Sequence, residues 1–351
     1  MISDGPVAIR KTDLEAAVAA GVIDGVVADR LVAFVETARG AGPSQADEEN
    51  LRLISSFNDI FVTIGLVLFL GALTYIVSGL GVSASALIIA AASWGLAEVF
   101  TRIKRLALPS IVLLVVYSLA AFICIAGWLA PDLGIFAAVN SGGPTLPLAA
   151  AGIVTTALVG VHWLRFRVPI TIAAGCCALA ITAMALAGGF APELFKAHSG
   201  LVTVPLGLAI FGLAMWYDMS DRHRLTRRTD IAFWLHLLAA PMIVHPIVAE
   251  LTTLGNMTPR DAGLILALFV VLSIVALVAD RRALLVSSLI YLGYAAYTLI
   301  SKADWGSSTY AFAVLMVGAI VLLLSVAWRP LRRLVLELVP GKIRGLVPEP
   351  A

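Results

Sequence analysis

Polar and apolar positions along the chain fall into two regimes. Up to about residue 58 the apolar residues are sparse and helically spaced; beyond it, long apolar windows alternate with short polar or basic turns. A helix of about 20 apolar residues crosses the hydrocarbon core of a bilayer. Windows of that length lie at 59–80, 82–101, 107–130, 146–163, 168–188, 200–217, 230–251, 261–279, 283–300 and 308–328. The pattern predicts an all-α polytopic bundle of ten transmembrane spans over 59–328.

The first regime reads as a soluble helical hairpin, residues 1–42. Thr12 followed by Glu15 makes a capping box, Leu14, Ala17 and Val18 form an apolar stripe, and Gly21 stops the helix. Asp24 caps a second helix carrying Val27, Leu31, Val32 and Val35, which ends at Gly40 and Gly42-Pro43. Such a hairpin is too small to build a core and is expected to dock on a cytoplasmic partner, on the spans, or on a second copy of itself. Residues 43–58 are a linker, and 43–50 contain nothing to bury. No basic start followed by a short apolar run precedes the first span, so that span is expected to act as its own insertion signal.

Charge orients the spans. Only 13% of residues are charged and 60% are hydrophobic, far from soluble composition, and the net charge of +2 carries no nucleic-acid footprint. When loops are assigned to alternate sides, all but three of the basic residues, Lys196, Arg260 and Lys302, share one side with both termini. The positive-inside rule makes that side the cytoplasm. Trp94, Trp163, Trp216 and Trp328 gather toward the same side as interfacial anchors. After Trp328, residues 329–351 read as an amphipathic tail with Leu331, Leu334, Val335 and Leu338 on one face. Arg222, Arg224, Arg227, Arg228, Arg332 and Arg333 are placed to contact an anionic inner leaflet.

An internal echo accompanies this layout. Arg105-Leu-Ala-Leu-Pro109 opens the third window and Ala-Gly-Trp-Leu-Ala-Pro-Asp-Leu (126–133) closes it, while Arg165-Phe-Arg-Val-Pro169 and Ala-Gly-Gly-Phe-Ala-Pro-Glu-Leu (187–194) do the same for the fifth. Arg281-Arg282-Ala-Leu-Leu is a fainter third copy. Either the domain repeats helical hairpins, or unrelated span ends have converged on the same proline chemistry.

Ionisable groups at membrane depth are costly and attract functional attention. The seventh window concentrates them, with Asp230, His236, Pro241, His245, Pro246 and Glu250 in one run. From Asp230, His236 lies ~9 Å and His245 ~22 Å along the helix. Each proline removes a backbone donor, leaving the carbonyls of Leu237 and Met242 without their usual partners, so the expectation is a broken helix with titratable imidazoles, as proton and cation pathways use. Against a shared site, the two imidazoles fall about 180° apart on an ideal helix, and either could simply bond a neighbouring helix. Glu98 one turn before Arg102 reads as an i,i+4 ion pair. Tyr291, Tyr294 and Tyr297 share a face with Ser287 and Ser288 nearby, which suits either a polar cavity or aromatic packing.

Catalytic signatures are missing: there is no HExxH, P-loop, GxSxG or Rossmann glycine pattern, and no motif asks for a metal or cofactor. Cys124, Cys176 and Cys177 sit in apolar runs as small hydrophobes. The hairpin Leu14-Glu-Ala-Ala-Val-Ala-Ala-Gly-Val-Ile-Asp24 and Ala28-Asp-Arg-Leu-Val-Ala-Phe34, followed by many spans and Arg-x-Arg-x-Pro turns, resembles bacterial membrane proteins of domain-of-unknown-function family 2157. The resemblance implies a bacterial inner membrane and brings no activity or catalytic residues. Two functions stay open: a transporter-like protein with a site on the seventh span, or a non-catalytic assembly or regulatory protein that recruits a partner through its hairpin.

Overall fold

A computed structural model describes residues 11–31, 57–131, 146–221, 224, 226–251, 258–301, 308–344 and 347. The chain divides into two compact units, an N-terminal one ending at Asn50 and a second over Leu51–Pro350.

In the first unit a helix spans Lys11–Ala19 and a second helical stretch runs over 25–31. Gly21 ends the first helix at φ +68°; its N–H bonds the Val18 carbonyl at 3.0 Å and the Val22 N–H bonds that of Ala17 at 2.9 Å, a Schellman motif. Asp24 caps the second, its carboxylate accepting from the Val26 N–H at 3.2 Å. The Thr12–Glu15 box and residues 32–42 lie outside the described side chains and residues. Val22, Val26, Val27 and Leu31 are exposed, as expected of two helices without a core.

The second unit is a helical membrane bundle in which ten helices are long and apolar enough to span a bilayer. They are span 1 (Phe57–Val77, prolonged by a 3-10 turn, Ser78–Leu80), span 2 (Val82–Ala97, prolonged by a π-helical turn, Glu98–Ile103), span 3 (Ala107–Leu129), span 4 (Leu146–Phe166) and span 5 (Ile170–Phe190). Span 6 (Gly200–Ser220), span 7 (Arg227–Leu251), span 8 (Pro259–Ala279), span 9 (Ala283–Ser301) and span 10 (Thr309–Leu338) follow. Each apolar window holds one helix. Span 10 differs most, because it continues through Pro330 to Leu338, so the first ten residues of the expected tail prolong the last span.

Four tight turns, between spans 2 and 3, 4 and 5, 6 and 7, and 8 and 9, carry the basic clusters and define a basic end. Each holds one non-glycine residue in the left-handed region: Arg105, Arg167, Arg224 and Asp280, at φ 53° to 56°. A side chain there costs roughly 1–2 kcal/mol, yet among the described residues the same conformation recurs at all four turns, 56 to 62 residues apart. The geometric equivalence pairs Arg105 with Arg167 and Asp280, one or two residues away from the sequence match to Arg165 and Arg281.

Within hairpins the helices approach closely where a side chain is missing. A Cβ on Gly127 would meet the Ser83 hydroxyl at 2.7 Å across spans 2 and 3, and one on Gly207 would meet Ile243 Cγ1 at 2.8 Å and Met242 Cβ at 3.0 Å across spans 6 and 7. Gly152 stands similarly against Thr182 across spans 4 and 5. Small residues at such seams let backbones pack without a hydrophobic driving force.

Span 7 is the most buried span and packs against spans 5, 6 and 9, so it bridges the two ends of the hairpin row. Ile231, Leu235 and Ala239 join Ala173, Ile210 and Ala214 in one core, while Val244 and Val248 join Ala262, Ile265 and Ala295 in another. The expected break is absent: one helix runs through Pro241 and Pro246. A proline removes a single helical hydrogen bond, and tertiary packing holds Pro246, which is buried beside Gly200 at the start of span 6.

Replacing Gly207 by Val is expected to destabilise the purified protein by about 1–3 kcal/mol, the usual effect of overpacking. Gly212→Val on the same helix, where an added Cβ meets nothing within 4 Å, is the control and should melt close to wild type. Equal melting temperatures for the two variants would refute the seam.

Candidate functional site

Two consecutive residues in the basic turn between spans 8 and 9, Asp280 and Arg281, tie five spans together. Asp280 becomes available because the left-handed residue closing span 8 is an aspartate instead of glycine; Arg281 then donates its N–H to the Ala276 carbonyl at 2.9 Å.

Arg281 points toward span 6. Its guanidinium grips the Asp218 carboxylate with both arms, Nε donating to Oδ2 at 3.1 Å and Nη2 to Oδ1, and Nη2 also reaches the Thr229 carbonyl at 3.3 Å. From span 7, His236 Nε2 lies 2.8 Å from the same Oδ2. Asp218 is 2%, Arg281 1% and His236 0% exposed, so the triad is dry. The Nε2–H tautomer lets His236 donate to Asp218, which leaves Nδ1 buried with no hydrogen-bond partner among the described residues. Phe211 packs edge-on against the imidazole at 5.3 Å.

Asp280 points the other way. Trp328 Nε1 donates to its Oδ1 at 2.8 Å, and Arg332, one turn further along span 10, lies 3.5 Å from Oδ1 while donating to the Leu277 carbonyl at 3.2 Å. Arg224, from the turn before span 7, places Nη2 3.1 Å from Oδ2 and 3.1 Å from the Asp280 carbonyl. Asp221 completes the region by capping span 7, its Oδ2 accepting from the Thr226 N–H (2.9 Å) and the hydroxyls of Thr226 (2.7 Å) and Thr229 (3.0 Å). The cluster sets Asp218, Asp221 and Asp280 against Arg224, Arg281 and Arg332, with the half-buried Asp230 close enough to interact with Arg281 and Asp221. Buried charges persist only when paired in this way.

These positions correct the expected lipid contacts. Arg224 and Arg332, at 13% and 2% side-chain exposure, are held by Asp280 and do not face headgroups. Trp328 is a buried donor and no interfacial anchor. Arg227, Arg228 and Arg333 are exposed at the basic end, and Arg222 lies outside the described residues.

The other sequence candidates do not converge with His236. His245 is exposed and its Nδ1 hydrogen-bonds the Tyr291 hydroxyl on span 9. Glu250 lies at the opposite end of span 7, with Oε1 3.5 Å from His198 Nδ1. Pro241 borders a cavity on the far side of the helix from His236. Tyr294 is half-buried and Tyr297 is exposed, so the three tyrosines line no common cavity among the described residues. Glu98 does meet Arg102 at 3.3 Å, but its better partner is Arg165 of span 4, which forks onto both oxygens at 2.7 and 2.9 Å. His162, which the sequence did not single out, is buried amid Trp94, Tyr117 and Phe166, with ring centroids 4.5–5.6 Å away. Among the described residues, no three His, Cys, Asp or Glu side chains are placed to hold a metal ion.

No protein-family model, curated protein or solved structure matches the chain.

Arg281→Ala leaves the Asp218 charge buried without its guanidinium and is expected to cost about 3–5 kcal/mol, read as a lowered unfolding temperature in detergent. The double variant Asp218→Asn/Arg281→Met removes both charges and should recover most of that loss. A double variant as unstable as Arg281→Ala would show that the pairing does not set the stability.

Proposed function

We propose that this multi-pass protein is a transporter-like protein of the bacterial cytoplasmic membrane, with both termini in the cytoplasm, and that the Asp218–His236–Arg281 triad is a proton-accepting gate at the cytoplasmic end of span 7. The observation that carries this reading is the Nδ1 of a fully buried histidine, without a hydrogen-bond partner among the described residues, whose other nitrogen bonds a carboxylate already held by arginine. A proton arriving at Nδ1 adds one positive charge to a buried site, which penalises the packed state and favours separation of spans 6, 7 and 9. The skewed basic residues support the orientation, the exposed Arg227, Arg228 and Arg333 suit an anionic inner leaflet, and the resemblance to family 2157 supports a bacterial host.

In liposomes loaded with the pH-sensitive dye pyranine, wild-type protein is expected to dissipate an imposed proton gradient faster than empty liposomes do. His236→Ala should abolish this, and His245→Ala, which removes the contact with Tyr291 away from the triad, should retain it. Equal rates for wild type and His236→Ala, or for wild type and empty liposomes, remove the reading.

A second reading, assembly or regulation through residues 1–42, is favoured by the exposed Val22, Val26, Val27 and Leu31 of the first unit. Deleting residues 1–50 should then remove a defined crosslinked adduct, while protease trims the intact hairpin in inverted vesicles and not in spheroplasts. A single uncrosslinked species at full length counts against recruitment, and trimming in spheroplasts overturns the orientation.

A further inference from the structure

A cavity of about 540 Å³ is lined by residues of spans 3, 4, 5 and 7, on the side of span 7 opposite His236. Its walls are apolar: Leu119 and Phe122 from span 3, Ala174 and Ile181 from span 5, and Trp234 and Leu238 from span 7 contribute side chains without polar chemistry, apart from the indole N–H. Val115 and Leu119 on its border are 47% and 58% exposed, so it opens sideways from the bundle, where the surroundings of a span are lipid.

Two features specify an occupant. The first is length. The span 5 lining runs from Ile170 to Ile181, about 16 Å along a helix, which matches the roughly 15 Å hydrocarbon depth of one leaflet. The second is polarity at the two ends. Ile170 follows the turn that exposes Arg167, and Trp234 lies two turns from the exposed Arg227 and Arg228, so the basic end of the cavity adjoins cationic side chains while its other end lies at mid-span.

We infer that this cavity holds one acyl chain of an anionic phospholipid from the leaflet at the basic end, with its headgroup among Arg167, Arg227 and Arg228 and its chain running inward to the depth of Thr155. The volume is within the range of ordinary ligand sites. The inference is independent of the proton-gate reading, since the cavity and the triad occupy opposite faces of span 7.

The test uses full-length protein in nanodiscs containing phosphatidylglycerol with a diazirine midway along one acyl chain. Irradiation followed by peptide mass spectrometry should place adducts on the span 5 segment 174–181 and on the span 4 segment around Thr155. Ala174→Trp and, independently, Leu119→Trp fill the cavity from different walls and should lose those adducts while keeping labels on outward-facing residues. Phosphatidylcholine carrying the same diazirine should label the segments less. Adducts spread evenly over all lipid-facing spans in wild type, unchanged adducts in both tryptophan variants, or equal labelling by the two headgroups would each overturn the proposal. The first and last are read on wild type, so they hold even if a tryptophan variant does not fold.

Discussion

At membrane depth there is no water to satisfy a peptide group, so each span must close its own backbone hydrogen bonds and the chain can reverse only near an interface. Nearly everything else in this bundle follows from where and how it reverses. Four reversals are made at the basic end by a non-glycine residue held in the left-handed region. Each turn gathers arginines; in the second half of the chain Arg224 and Arg281 are turned inward onto carboxylates.

That inward turn distinguishes the halves. In the first, Glu98 joins spans 2 and 4 through Arg165 in a partly exposed fork. Exposed pairs of this kind contribute little. In the second, Asp218 and Asp280 are almost wholly buried and each receives more than one cationic or N–H partner, from spans 7 and 10 and from two turns. Such pairing only offsets the desolvation of the charges, so its main consequence is geometric. The basic ends of spans 6 to 10 are held in one arrangement, and a change in charge at His236 bears on all of them.

Span 7 carries two unlike faces as a result. One presents His236 to the ion cluster, and the other presents Trp234, Leu238 and Pro241 to an apolar cavity shared with spans 3 to 5. Its prolines do not break it. They add bulk without donors, Pro246 against Gly200 and Pro241 beside the cavity, in a helix whose packing outweighs two missing hydrogen bonds.

The sequence alone determined the ten spans, because hydrocarbon demands long apolar helices whatever their neighbours. It determined the Gly21 and Asp24 helix signals and the Glu98–Arg102 pair as well, since these depend on residues a turn apart or less. It marked span 7 as the polar one and His236 within it. Which groups His236 would meet was not legible, for Asp218 and Arg281 stand 18 and 45 positions away and read locally as an ordinary span end and an ordinary basic turn. The same holds for Arg332 and Trp328, which pattern placed at the lipid surface and packing drew inward to Asp280. Local periodicity fixes which face of a helix is apolar; only the arrangement of helices decides whether a charge on the other face finds lipid, water or a buried counterion.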